Sequence, residues 1–334
     1  MMNEIASQTV TGETLVRARN LNVAFVSREA TVNAVNGIDL DLASGEVLCI
    51  LGESGSGKSV TLRALMRLNP KAKTVMSGEL SVAGNDMMAL PDSKLSSIRG
   101  RDVSMIFQEP MTALDPVFTI GRQITETIIR HEGISRRQAD LRALDLLELV
   151  QIPSAKRRLG AYPHELSGGL RQRAMIAMAI SCRPKLLLAD EPTTALDATV
   201  QIQILLLLRR LQQELGMGVI FVTHDLGVAG EIADRIAVMY AGRMVEQGSV
   251  GDFMKKPLHP YAQGLMGATV HSGMRGHRLT TIPGSPPDLR LPITGCAFAP
   301  RCPYVGNACR SELPAFRHPE DGRAVRCVRF EEAA

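Results

Sequence analysis

What this chain lacks excludes several classes before any motif is considered. No stretch approaches the roughly 18 consecutive apolar residues of a membrane-spanning helix. The longest candidate, residues 204–208, is closed by Arg209 and Arg210, so the chain is not expected to cross a bilayer. The first twenty residues have no apolar core behind a basic start, so no secretion signal is expected and the protein is expected to be cytoplasmic. An excess of positive charge is also missing: 38 Lys and Arg against 34 Asp and Glu leave +4, too little to argue for nucleic acid or a membrane surface as partner. Internal repeats and sustained heptads are absent too.

The 334 residues, 45% hydrophobic, suffice for one large domain plus a smaller one. Residues 47–51 form a short apolar run that leads into a glycine-rich segment. From Lys58 the pattern Leu62, Leu65, Met66 predicts a helix. Further apolar runs at 103–107, 186–189 and 219–222 predict strands buried on both faces of a parallel sheet. Between 107 and 186 the spacing changes to threes and fours, with Leu141, Leu144 and Leu147 and then Leu146 and Val150, which predicts a helical insert. A helix is expected from Ser167, as N-cap, to about Ser181, before Pro184. After Gly248 the composition shifts, and Pro283, Pro286, Pro287, Pro292, Pro300 and Pro303 predict a small irregular appendage from about residue 258.

Three segments carry chemistry. GESGSGKS at 52–59 fits G-x-x-x-x-G-K-[ST] between a strand and a helix. Its glycines let successive backbone N–H groups face one anion at a helix N-terminus, so phosphate is the expected guest. Lys58 is expected to reach the β and γ phosphates and Ser59 to take a position on Mg2+. Asp190 closes the run 186–189 and places a carboxylate at the same sheet edge, where it is expected to hold the Mg2+. Glu191 is free to orient or deprotonate a water in line with the γ-phosphate, which suits hydrolysis. The third segment, LSGG at 166–169, has no evident partner in its own nucleotide site.

LSGGLRQR at 166–173, shortly before LLLADEP at 186–192, resembles the signature motif of the ATP-binding cassette (ABC) ATPases. The resemblance covers roughly residues 14–250. It implies an α/β fold: an ABC-type P-loop domain at 14–257 with a RecA-like mixed sheet, a helical subdomain at about 115–182, and a C-terminal extension at 258–334. It further implies that Gln108 in FQEP is the Q-loop residue and a Mg2+ contact, that 195–197 (Ala195 to Asp197) is the D-loop, and that His224 in VTHD is the switch histidine. ATP contacts follow at Gly52, Glu53, Ser54, Gly55, Ser56, Gly57, Lys58, Ser59 and Val60, and Phe25 resembles the aromatic residue that stacks on adenine. Leu170 departs from the pattern, standing where many cassettes carry Gln. Ser167, Gly168, Gly169 and Asp197 would contact ATP held by another subunit, so the working unit is expected to be a dimer of identical or homologous cassettes that ATP closes and hydrolysis opens.

Of six cysteines, Cys49 and Cys182 read as packing. Cys296, Cys302, Cys309 and Cys327 are spaced C-x5-C-x6-C-x17-C, unlike the short CxxC pairs of common zinc folds. Zinc, an iron–sulfur cluster and unligated thiols all remain open on chemistry alone. The segments HPYAQGLM at 259–266, IPGSPPDL at 282–289 and GCAFAPRCP at 295–303 resemble the C-terminal extension of dipeptide and oligopeptide importer ATPases, which implies a [4Fe-4S] cluster. The expectation is an ATPase subunit on the cytoplasmic face of the inner membrane, docked on two permeases fed by an extracytoplasmic peptide-binding protein, with no nucleic-acid partner. Importers of nickel or glutathione are the alternative within transport. A soluble cassette acting on ribosomes or DNA is the alternative outside it.

Overall fold

The computed structural model describes residues 13–194, 196–268, 281–319 and 322–329. Ala195 of the expected D-loop and the first twelve residues lie outside the described residues, as do three stretches of the extension. Among the described residues no helix is long and apolar enough to cross a membrane.

A seven-stranded sheet carries the fold, built from β3 (Val47–Leu51), β6 (Val103–Ile106), β7 (Leu186–Asp190), β8 (Gly218–Thr223), β9 (Arg235–Tyr240), β10 (Arg243–Ser249) and β11 (Ala324–Val325), in the order β11-β10-β9-β3-β8-β7-β6. β9, β3, β8, β7 and β6 run parallel, and β10 and β11 add antiparallel at one edge. The continuous apolar runs have a direct cause, since side chains alternate between faces with period two and both faces here are covered. Val47, Cys49, Leu51, Leu187 and Ala189 enter one core, while Leu48, Ile50, Leu186 and Leu188 enter the other.

On the second face lie the helix Lys58–Leu65 and a four-stranded antiparallel sheet of β1 (Thr14–Val26), β2 (Thr31–Ala43), β4 (Thr74–Val82) and β5 (Asn85–Asp86), ordered β2-β1-β4-β5. The first face packs against the insert between β6 and β7, whose main helices are Ile120–Glu132, Arg136–Leu149 and Gly168–Ala179. The insert is helical as its spacing predicts, but Leu141 is 59% exposed, whereas Ala139, Ala143, Leu146, Leu147 and Val150 are buried. Of the threes-spaced leucines, Leu147 is buried and Leu144 packs partly against the core, so only Leu141 lies off the packed face, which the i, i+4 set marks. The helix after Ser167 ends at Ala179, and the strand after Asp102 ends at Ile106, which leaves Phe107 partly exposed past the sheet edge.

Among the described residues the extension has only short elements from Pro283 onward, the helix Asn307–Ser311 and β11 among them, yet it begins with a helix, Pro260–Gly267, and does not stand apart. Tyr261, Ala262, Ala297 and Phe298 belong to the same core as β3 and the insert, and β11 pairs with β10. Tyr261, Tyr240 and Phe298 form an aromatic knot with ring centroids 4.6 to 5.4 Å apart. At its entrance His259 is 1% exposed, and its Nδ1 accepts the backbone N–H of Tyr261 at 3.1 Å.

Burial drives the His259 pKa down to about 3, against about 6.5 for a free imidazole. Between these values the unfolded chain binds a proton that the folded chain refuses, so stability declines as pH falls through that window, by about 1.4 kcal/mol per pH unit from this group. Denaturant titrations at pH 7.5 and 5.5 should show the loss, and His259→Asn, which keeps an acceptor, should flatten it. An equally steep loss in that variant would assign the acid sensitivity elsewhere.

Candidate nucleotide site

The parallel strands bring the sequence motifs to one edge. Leu51 pairs with Thr223, and Asp190 with Val222, so the segments starting at Gly52, Glu191 and His224 all leave the sheet on the same side. The loop 52–57 turns tightly under β9: a Cβ at Gly52 would lie 2.2 Å from the Met239 carbonyl oxygen. At Gly57, with φ +105°, a Cβ would lie 2.4 Å from the carbonyl oxygen of Ala34. Only glycine fits at these two positions.

Lys58 is buried. Its Nζ donates to the carbonyl oxygens of Gly52 (2.7 Å) and Glu53 (2.9 Å), folding back over the loop. Burial lowers its pKa, and the nearby carboxylates of Glu191 and Asp190 oppose that shift. The Ser59 hydroxyl donates to Asp190 Oδ1 at 2.7 Å. Asp190 is 1% exposed, and burial raises its pKa above the usual carboxylate range, with the Ser59 bond pulling the other way. A hydroxyl and a carboxylate oxygen side by side at the mouth of a phosphate loop form a hard donor pair of the kind Mg2+ takes.

Glu191 follows at φ +45°, a left-handed backbone that a non-glycine residue adopts at a cost of about 1–3 kcal/mol. Its neighbours hold it there. The Glu191 N–H donates to the Val222 carbonyl at 3.0 Å, and Oε2 accepts from the Thr194 hydroxyl at 2.9 Å and meets His224 Nδ1 at 3.1 Å. Thr194 is a member of this cluster that the sequence reading missed; its place three residues after Glu191 was the available signal.

Other expected residues lie apart. Gln108 is exposed just past β6 and takes no part in the hydrogen bonds joining Ser59 to Asp190. Phe25 is half-buried near the end of β1, paired with Val32 and Thr74. Asp197 caps the helix Ala198–Leu215 by accepting the N–H of Val200 at 3.0 Å. Ser167 stands at the N-cap position, but its hydroxyl makes no capping bond, and Ser167 and Gly168 are exposed. Among the described residues no hydrogen bond links this helix start to the phosphate loop.

The four clustered cysteines are free thiols that line one pocket with His259, Phe298 and Tyr304. Burial pushes the Cys296 thiol up to about 11 and raises those of Cys302 and Cys327. Against that, the backbone of Phe298, Tyr304 and Arg329, each two residues on, favours the thiolate at these three positions. Among the described residues no three His, Cys, Asp or Glu side chains are gathered closely enough to hold a metal ion. The expected convergence is present as a pocket, not as a formed ion site.

Comparison with known proteins agrees with this geometry. The family described as ABC transporter matches residues 35–194, and that described as oligopeptide/dipeptide transporter, C-terminal region, matches residues 245–309. A probable peptide ABC transporter ATP-binding protein of Sinorhizobium fredii is 48% identical over 322 residues, covering 95% of this chain and 96% of the relative. A dipeptide transport ATP-binding protein of Bacillus subtilis is 46% identical over 316 residues, covering 94% of each. Among solved structures, a dimeric, post-hydrolysis ATP-binding cassette bound to ADP and Pi superposes with a TM-score of 0.63 at 31% identity, covering 70% of this chain and 98% of that one.

Lys58→Ala removes a charge-assisted donor from the loop and should weaken ATP binding roughly tenfold to a hundredfold. Titration calorimetry with Mg-ATP measures this, and an unchanged Kd would remove Lys58 from the phosphate contacts.

Proposed function

The chain belongs to the ABC transporter ATP-binding family, and from that premise we propose that it is the ATPase subunit of an importer that takes up di- or oligopeptides. The observation that carries the hydrolytic part is the strained Glu191, whose carboxylate is held by Thr194 and His224 beside the Ser59–Asp190 pair. The loop amides and Lys58 bind the phosphates. Glu191 orients and deprotonates the attacking water, and His224 keeps that carboxylate in place at the γ-phosphate edge. Ser59 and Asp190 would hold Mg2+, which supplies charge neutralisation of the phosphates when bound. Gln108 completes this set and Phe25 stacks on the base.

Transport coupling follows from the orphan signature. The exposed start of the helix Gly168–Ala179, with its uncapped amides, is a second anion-binding end without an anion in its own chain. Ser167, Gly168, Gly169 and Asp197 face the ATP of a second cassette, identical or homologous. Two permeases and an extracytoplasmic peptide-binding protein complete the assembly, and the chain sits peripherally on the cytoplasmic face of the inner membrane. Peptide is favoured over nickel or glutathione because the Sinorhizobium and Bacillus relatives are peptide and dipeptide transport proteins and the extension matches a peptide-transporter region.

The cysteine pocket is read as the site of a [4Fe-4S] cluster held by Cys296, Cys302, Cys309 and Cys327. Four thiols share one pocket, and at three of them the neighbouring backbone favours thiolate against the opposing effect of burial. When bound, the cluster supplies a cross-link between separate stretches of the extension.

Glu191→Gln should bind ATP normally and lose about 100-fold or more of the hydrolysis rate, with peptide uptake falling in parallel. Hydrolysis at the normal rate would remove Glu191 as base. Anaerobically purified protein should contain iron and acid-labile sulfide in equal amounts; zinc without sulfide would reject the cluster.

A further inference from the structure

Glu53 sits inside the phosphate loop, where an acidic side chain is electrostatically out of place. A carboxylate beside a polyphosphate repels it, and at an effective dielectric of about 20 that repulsion is felt across several ångströms. The chain cancels this charge from far away in sequence. Arg301, whose side chain is 5% exposed, makes a two-pronged ion pair with Glu53: Nη1 to Oε2 at 2.7 Å and Nη2 to Oε1 at 3.0 Å. Its remaining donors go to the carbonyl oxygens of Pro283 (2.8 Å) and Ile282 (3.3 Å) and to the Tyr240 hydroxyl (3.3 Å), which fix the guanidinium plane.

A second contact comes from the same extension. The Glu53 backbone N–H donates to the Tyr261 hydroxyl at 2.8 Å. The Glu53 carbonyl oxygen already accepts from Lys58 Nζ and from the Ser56 N–H at 3.2 Å. Both backbone groups of Glu53 and its side chain are thereby fixed, and two of these three anchors belong to residues beyond 257.

We propose that Arg301 and Tyr261 are positioning residues of the nucleotide site: Arg301 neutralises the phosphate loop's own carboxylate, and Tyr261 fixes the loop's backbone. The extension is then part of the ATP site and not an appendage to it. This rests on reading residues 52–59 as the ATP phosphate loop. Neither residue touches the reacting atoms, so the effect falls on nucleotide affinity and not on the chemical step.

The test compares wild type, Arg301→Gln, Arg301→Lys, Tyr261→Phe and the double variant Glu53→Gln/Arg301→Gln, measuring Mg-ATP Kd by calorimetry and KM and kcat for hydrolysis. Arg301→Gln should raise Kd and KM about tenfold with kcat within about twofold. Arg301→Lys should recover part of the affinity. The double variant should recover most of it, because the unpaired carboxylate is gone. Tyr261→Phe should raise Kd about threefold, the loss of one neutral hydrogen bond. Wild-type affinity in Arg301→Gln, or a double variant that binds no better than Arg301→Gln, would overturn the proposal. Wild-type protein that binds no ATP would instead overturn the reading of the loop on which it rests.

Discussion

The parallel pairing of β3 with β8 and of β8 with β7 is the constraint on which the rest depends. It ends three strands at one edge, so that the phosphate loop, the Asp190–Glu191 pair and His224 emerge together. That pairing is in turn held by burial on both faces, with alternate side chains of each strand committed to opposite cores. A one-residue slip of β7 would exchange Leu187 and Ala189 with Leu186 and Leu188 and carry Asp190 away from Ser59. The chemistry is therefore specified by the same contacts that specify the fold.

Much of that central layer was legible. Strands buried on both faces announce themselves as unbroken apolar runs, and the glycine-rich loop and the acid pair lie at the run ends. The antiparallel sheet was not legible, for a definite reason. Along β1 the alternation of Val16 and Ala18 is reset at Asn20, which has a φ of +45°, and resumes at Leu21 and Val23, with register shifts against β2 on either side. A bulge that moves the phase by one residue hides a period-two pattern from a fixed window. Leu141 was misleading for the opposite reason: three leucines at intervals of three suggest a stripe, but the packed face of that helix uses alanines as well.

The extension shows where sequence reasoning ran shortest. Its prolines predict that no long helix or central strand forms, and among the described residues only short elements follow Pro283, but composition carries no information about where such a segment docks. Tyr261 and Arg301 reach the phosphate loop across more than two hundred residues of sequence, and Cys302, adjacent to Arg301, lines the thiol pocket. The pocket and the nucleotide loop are thus separated by a single peptide bond at one point of the chain. The aromatic knot of Tyr240, Tyr261 and Phe298 touches both, Phe298 lining the pocket and the Tyr261 hydroxyl bonding to the loop.

Within one chain the phosphate loop, the Glu191 carboxylate and His224 gather at one sheet edge, while the helix start at Ser167 is exposed and makes no hydrogen bond to the loop among the described residues. The complete site proposed for this protein is accordingly a product of two cassettes. Its most direct test is a structure of the assembled transporter with a non-hydrolysable ATP analogue and Mg2+. The γ-phosphate is expected between Lys58 and Glu191 of one cassette and the signature loop of the other. A γ-phosphate enclosed by one chain alone, with both signature loops in solvent, would contradict a shared site.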